Sequence, residues 1–230
     1  MPLARSLDII WDYRWLLASG LATTFKLTLI SIFIALASGV SSALGSLSKL
    51  RLIRWPSIVI IEFCRNTPIL VLIIWVHYAL PEMTLIKTSA FVSCVIALVM
   101  QSTGYLAEEY RAGIESIDKG QYEAARSLGM RHAGMMRRII LPQAIVRMIP
   151  GIINQLVVLF KSTSVVSVIA VPDLMYQGNV IVNDTYLAMQ TYTIVALAYF
   201  VIVFFISLLV RVTSKRISFI APAHEVMKAV

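Results

Sequence analysis

Two cations and several uncharged polar side chains stand inside otherwise apolar runs of this chain. Arg65 leads into Asn66, Thr67 and Pro68. Lys161 leads into Ser162, Thr163 and Ser164, with Asn154 and Gln155 about two turns ahead of it. Gln101, Ser102 and Thr103 make a third patch. Such groups give and take hydrogen bonds but break no covalent bond. In lipid they either line the route of a polar solute or tie helices together. A cation at mid-helix costs about 3 kcal/mol on insertion scales, so Arg65 and Lys161 each need a compensating role. For Arg65 that role is a structural pair, with Glu62 as the partner at hand, or a place on a solute path. For Lys161 both readings stand. Pro68 removes a donor and predicts an irregular turn lining a cavity. Bond-breaking chemistry has no constellation to work with. His77, His132 and His224 are scattered, and Cys64 and Cys94 lack a CxxC or Cys/His neighbour. No G-x-x-x-x-G-K-[ST] loop and no His-Glu-x-x-His is present.

The elements that must position these groups are membrane helices. Of 230 residues, 59% are hydrophobic and only 14% charged, and the mean hydropathy is +0.82. Five runs reach the roughly 20 apolar residues a spanning helix needs. They cover about residues 21–47, 56–80, 88–107, 146–171 and 189–210. The runs are continuous rather than short and alternating, which excludes a transmembrane barrel. The fold class is an all-α polytopic membrane protein.

Lys and Arg set the orientation. Lys49, Arg51 and Arg54 fill the first connection. Arg111, Lys119, Arg126, Arg131, Arg137, Arg138 and Arg147 fill the long one, and Arg211, Lys215, Arg216 and Lys228 the tail. The other side holds Arg5, Arg14 and Lys87, with no Lys or Arg from Pro172 to Met189. The N-terminus is therefore expected outside and the C-terminus in the cytoplasm. The net charge of +8 follows this topology and does not mark a nucleic-acid partner. Residues 1–20 read as an external interfacial segment, with Trp11, Tyr13 and Trp15 at the lipid boundary. Lys26 snorkels outward. Residues 21–216 read as one membrane domain and 217–230 as a cytoplasmic tail.

Residues 108–147 are the exception to the apolar plan. Glu, Ala, Arg, Met and Leu favour helix there, and Gly120, Gly129, Gly134 and Pro142 break it into short pieces. Within it stand Glu123-Ala124-Ala125, three residues, Gly129, and then Ile140-Leu141-Pro142. This pattern resembles the EAA loop of importer-type ABC transporter permeases. Glu62-Phe63 before Arg65-Asn66-Thr67-Pro68 is similar to the second-helix motif of the polar amino acid subfamily of histidine, glutamate and glutamine permeases. So are Tyr110-Arg111-Ala112-Gly113-Ile114, Gly120-Gln121 and the stretch from Lys161 to Ile169. The likeness runs from about Gly20 to Arg216.

The resemblance implies a type I ABC importer permease fold with five transmembrane helices and a cytoplasmic coupling helix. It places the chain in the bacterial inner membrane, among lipid. It implies two ATPase subunits docked on Tyr122, Glu123, Ala124, Ala125, Arg126, Leu128 and Gly129. It also implies a second permease subunit, similar or identical, and a periplasmic or extracellular substrate-binding protein. No cofactor is expected in this chain; ATP and Mg belong to the ATPases. The polar residues Arg65, Thr67, Gln101, Thr103, Asn154, Gln155, Lys161, Ser162, Thr163 and Ser164 are the expected substrate path, with interhelical hydrogen bonding as the alternative. One departure from the family bears on specificity. Basic amino acid permeases often carry Asp after the fourth-helix Lys and an acid a turn or two earlier; this chain has Ser162 and Gln155. A neutral polar or acidic amino acid is thus expected over a basic one. Two alternatives remain open: a half of a heterodimer that does not touch substrate, and an ion-coupled secondary transporter.

Overall fold

The computed structural model describes residues 11–218, with side chains as far as Leu208. The first half of the external segment, residues 1–10, and all of 219–230 lie outside the described residues. Eight helical elements follow in order: α1 Arg14–Ser46, α2 Arg51–Asn66, α3 Ile69–Thr84, α4 Ala90–Glu115, α5 Lys119–Ser127, α6 His132–Ile169, α7 Leu174–Thr185 and α8 Ala188–Ser218. Four of them, α1, α4, α6 and α8, are long and apolar enough to cross a membrane. The pair α2 and α3 makes a fifth span only if counted together, because it bends by 107°.

Proline chemistry sets that bend. Thr67 is extended (φ −84°, ψ 129°), as the residue before a proline prefers, and Pro68 opens the next helix. The run read over 56–80 is thus broken into two helices, and it stands as a span only as that bent pair. Pro142 and Pro150 are absorbed differently: a π-helical turn, Met136–Ile140, precedes Pro142, and α6 runs on through both. The carboxyl end of α6 tightens into a 3-10 stretch, Thr163–Ile169.

Further boundaries differ from expectation. The third run continues to Glu115 rather than ending at 107, and the fourth begins at His132 rather than 146. The polar loop predicted over 108–147 therefore narrows to the stretch around α5. Apolar composition marks where lipid ends, but Glu, Arg and Met carry a helix on into water. The connection from Pro172 to Met189 contains the helix α7, too short and polar to register as a span.

The core gathers on α1 and α4. Leu27, Ala35, Leu72, Ile73, Leu98 and Leu106 are fully or almost fully buried in one cluster. Small residues permit the closest approach, as is usual between membrane helices. At Gly104 of α4, a Cβ would stand 3.0 Å from the Arg65 nitrogen and from the Ile61 carbonyl oxygen of α2. Cys64 and Cys94 are buried and unpaired.

Candidate coupling loop and translocation path

Asp118 starts α5 by accepting a 2.6 Å hydrogen bond from the Gly120 N–H. Gly129 ends it with φ +71°, the left-handed conformation glycine adopts without penalty. The closing bonds run from Leu128 N–H to Ala124 O (3.1 Å), Gly129 N–H to Arg126 O (2.9 Å) and Met130 N–H to Ala125 O (3.1 Å).

The seven expected docking residues divide between two sides. Ala125 is 1% exposed and packs with Ile117, Met135, Ile140, Ala144 and Met148. Tyr122 is half-buried against the same cluster and donates to the Ile114 carbonyl at 3.2 Å. Burial, and the nearby Glu115 carboxylate, push its phenol above the usual range, so it stays a donor. These two seat α5 on the ends of α4 and α6. Arg147 adds a bond to the Ser116 carbonyl, and Gln143 reaches Gln121 at 3.4 Å. Glu123, Ala124, Arg126, Leu128 and Gly129 face outward. Leu128 is 79% exposed, and a Cβ built on Gly129 would meet no atom within 4 Å. The outer side thus offers an apolar tip, two opposite charges and a bare backbone turn.

The expected path residues also separate. One group is buried or half-buried and bonded between helices. Gln155 donates to Ser102 Oγ at 3.3 Å, linking α6 to α4. Thr103 shares a 2.6 Å bond with Ser38 of α1. Gln101 donates at 3.4 Å to the Thr67 carbonyl at the proline break, and Thr67 Oγ1 bonds back to Phe63 O at 2.7 Å. Arg65 pairs with Glu62 at 3.2 Å and with Glu108 at 3.8 Å. Glu108 also pairs with Arg111 at 2.5 Å, and Arg111 with Glu115 at 2.6 Å.

A second group lies along α6. Asn154 and Lys161, seven residues apart, are exposed on one side of that helix. The hydroxyls of Ser162, Thr163 and Ser164 bond back to the carbonyls of Val158, Phe160 and Lys161, at 3.0, 2.7 and 2.9 Å. Gln155 points away from Asn154, into the bundle. The structure therefore does not gather the ten residues into one cluster.

Sequence reasoning missed Asp173. It is fully buried and caps α7, accepting from the Tyr176 N–H at 2.8 Å and from the Tyr199 hydroxyl at 3.2 Å. Thr24 of α1 accepts from the neighbouring Leu174 N–H at 3.2 Å. A signal was present, since Val171-Pro172-Asp173 ahead of an apolar run is a helix-start signature. Glu109 is a second residue outside the expected path. Its carboxylate lies against Gly151 of α6, in space a Cβ there would occupy.

The family described as "Binding-protein-dependent transport system inner membrane component" matches residues 31–219. A probable amino-acid ABC transporter permease of Sinorhizobium fredii is 34% identical over 86% of this chain and 85% of its own length. A probable glutamine ABC transporter permease of Bacillus subtilis is 33% identical over 92% and 98%. An arginine transport system permease of the same organism is 32% identical over 86% and 90%. A solved structure titled "Crystal structure of an amino acid ABC transporter with histidines" superposes with a TM-score of 0.88 at 38% identity, over 91% of this chain and 97% of that one. The protein is thus a multi-pass inner membrane component of an ABC transporter complex that includes ATPase partners, and it is the permease component rather than the ATPase. The chain belongs to the binding-protein-dependent transport system inner membrane components and, within them, to the amino-acid ABC transporter permeases.

Proposed function

We propose that this chain is one transmembrane half of an importer that carries a neutral polar or acidic amino acid in preference to a basic one. The observation that carries the preference is the charge state of the polar bundle. Gln101, Ser102, Thr103, Gln155, Ser162, Thr163 and Ser164 are all uncharged. Two nearby carboxylates are already engaged: Glu108 by Arg65 and Arg111, and Asp173 by its helix cap and Tyr199. Glu109 leaves one acid for the ammonium that every amino acid carries, and no second for a basic side chain.

In this reading a second permease subunit completes the pathway, because four or five spans are too few to enclose one. An external binding protein delivers the solute. Two ATPases, which hold ATP and Mg, dock on the outward side of α5 at Glu123, Ala124, Arg126, Leu128 and Gly129. Tyr122 and Ala125 serve the same docking by fixing that side in place. The Lys and Arg distribution supports a cytoplasmic loop and C-terminus and an external N-terminus. ATP-driven closure then biases the bundle between inward-open and outward-open states. A second reading has its own support. Gln155 is 6% exposed and bonded to Ser102, as expected of a half that shapes the pathway without touching substrate.

Uptake by the complete complex, reconstituted with its ATPase and binding protein, tests the first reading. Glutamine, asparagine or glutamate should be carried best. Arginine or lysine as the preferred solute overturns it.

A further inference from the structure

α2 is held by one half only. From Ser57 onward it rests on α1 and α4, with Ile61 and Cys64 buried. Ahead of Ser57, all six residues from Arg51 to Pro56 are exposed. Leu52 (91% exposed), Trp55 (64%), Val59 (61%) and Phe63 (49%) recur at helical spacing and make an apolar stripe directed away from the protein. The helix is only 16 residues long and carries Arg51, Arg54, Glu62 and Arg65. It does not qualify as a span alone, and it departs by 107° from α3. This composition, polar on one side and Trp- and Leu-bearing on the other, belongs to helices that lie in a membrane interface.

The charges on its inner side are unevenly paired, although three Arg face three Glu. A cavity of about 440 Å³ opens between α2 and the adjoining ends of α1 and α4, lined by Arg54, Arg65, Arg111, Glu62, Glu108 and Glu115 among others. Arg65 and Arg111 between them pair with all three carboxylates. Arg54 shares the cavity yet has no carboxylate within ion-pair distance among the described residues, and neither do the nearby Lys49 and Arg51. The sequence supplies no acid at all from Tyr13 to Ile61.

We propose that α2 lies in the cytoplasmic leaflet and holds the phosphate of an anionic phospholipid at Arg54. Lys49 and Arg51 add to the attraction, each such cation near an anionic surface being worth about a fivefold gain in affinity. Trp55, Leu52 and Val59 enter the acyl boundary beside it. Lipid fits better than a protein partner because the stripe is apolar and Trp-bearing while Lys49, Arg51 and Arg54 beside it make no ion pair among the described residues. The proposal holds whichever solute is carried.

The permease–ATPase complex in nanodiscs tests it. With Trp11, Trp15 and Trp75 changed to Phe, Trp55 is the only indole of this chain, and the same complex carrying Trp55→Phe as well supplies the background to subtract. Phosphatidylcholine brominated at a shallow acyl position should quench it. In the parent complex, phosphatidylglycerol should raise the thermal unfolding midpoint above that in phosphatidylcholine. Arg54→Gln should weaken that response about fivefold in lipid concentration, and Arg54→Lys should keep it. An unquenched Trp55, or a phosphatidylglycerol response unchanged in Arg54→Gln, overturns the proposal. Shielding of Trp55 only when the ATPase or a second permease copy is present assigns the stripe to that protein instead. An equal response to inorganic phosphate assigns Arg54 to a soluble anion.

Discussion

Ala125 and Leu128 lie three residues apart on one short helix, the first 1% exposed and the second 79%. Gln155 and Ser102 lie on different helices, and each satisfies the other. The loop turns one side inward and leaves the opposite side open. The bundle does the reverse at this pair, turning one polar side chain on another. The difference teaches where a missing partner belongs. An exposed apolar tip beside a bare glycine turn asks for a complementary surface, whereas a bonded amide between two helices asks for nothing.

The largest way to break that contrast is Gly129→Asp. It should reduce ATPase co-purification roughly thirtyfold, the loss of an interface anchor worth about 2 kcal/mol, while uptake falls with it. Gly129→Asn keeps the left-handed turn more readily than Asp and separates backbone strain from steric blocking. Normal coupling in both variants would remove the loop from the docking surface.

Asp173→Ala comes next and acts in the bundle instead. It deletes a buried helix cap and should lower stability by about 2 kcal/mol in detergent unfolding, with ATPase association per folded molecule unchanged. A stability loss under about 0.5 kcal/mol would show that the cap is not anchoring α7.

Leu128→Ala should shift stability by less than about 0.5 kcal/mol, being solvent-facing. It should still weaken ATPase binding by roughly tenfold, about 1.4 kcal/mol. Equal effects on both measurements would erase the distinction between the two sides of α5.

The smallest effect is the coupling between Gln155 and Ser102. A double-mutant cycle with Gln155→Leu and Ser102→Ala should give about 0.6 kcal/mol, the usual size for such bonds in membrane bundles. If uptake falls far more than this coupling allows, Gln155 acts on solute as well as on Ser102.

Much of the loop was legible in the sequence and rather less of the bundle. Gly129 and the Glu123-Ala124-Ala125 run announced a short helix with a turn, because glycine and helix formers act locally. That Ala125 faces inward was not legible, since its burial depends on Met135 and Met148 returning from α6. Pro68 marked a break correctly, but not the size of the bend, which depends on how α2 packs on Gly104. Leu85, Ala170 and Tyr186 close their elements at positive φ without being glycine, so no residue type flagged those ends. The polar stripe read along α6 was divided by its own periodicity: adjacent Asn154 and Gln155 sit about 100° apart on a helix and cannot share a direction.

α4 runs without a break for 26 residues, from its serine cap to Glu115. At 1.5 Å per residue that is about 39 Å of unjointed rod, longer than the hydrocarbon thickness of a bilayer. The tyrosine of α5 is tied to one end of it through the Ile114 carbonyl. A sideways push of about 4 Å on the loop would therefore arrive at the far surface as a tilt of roughly 6°, by the same helix geometry. Seen this way, the short helix is a handle, and the length of α4 is its mechanical advantage.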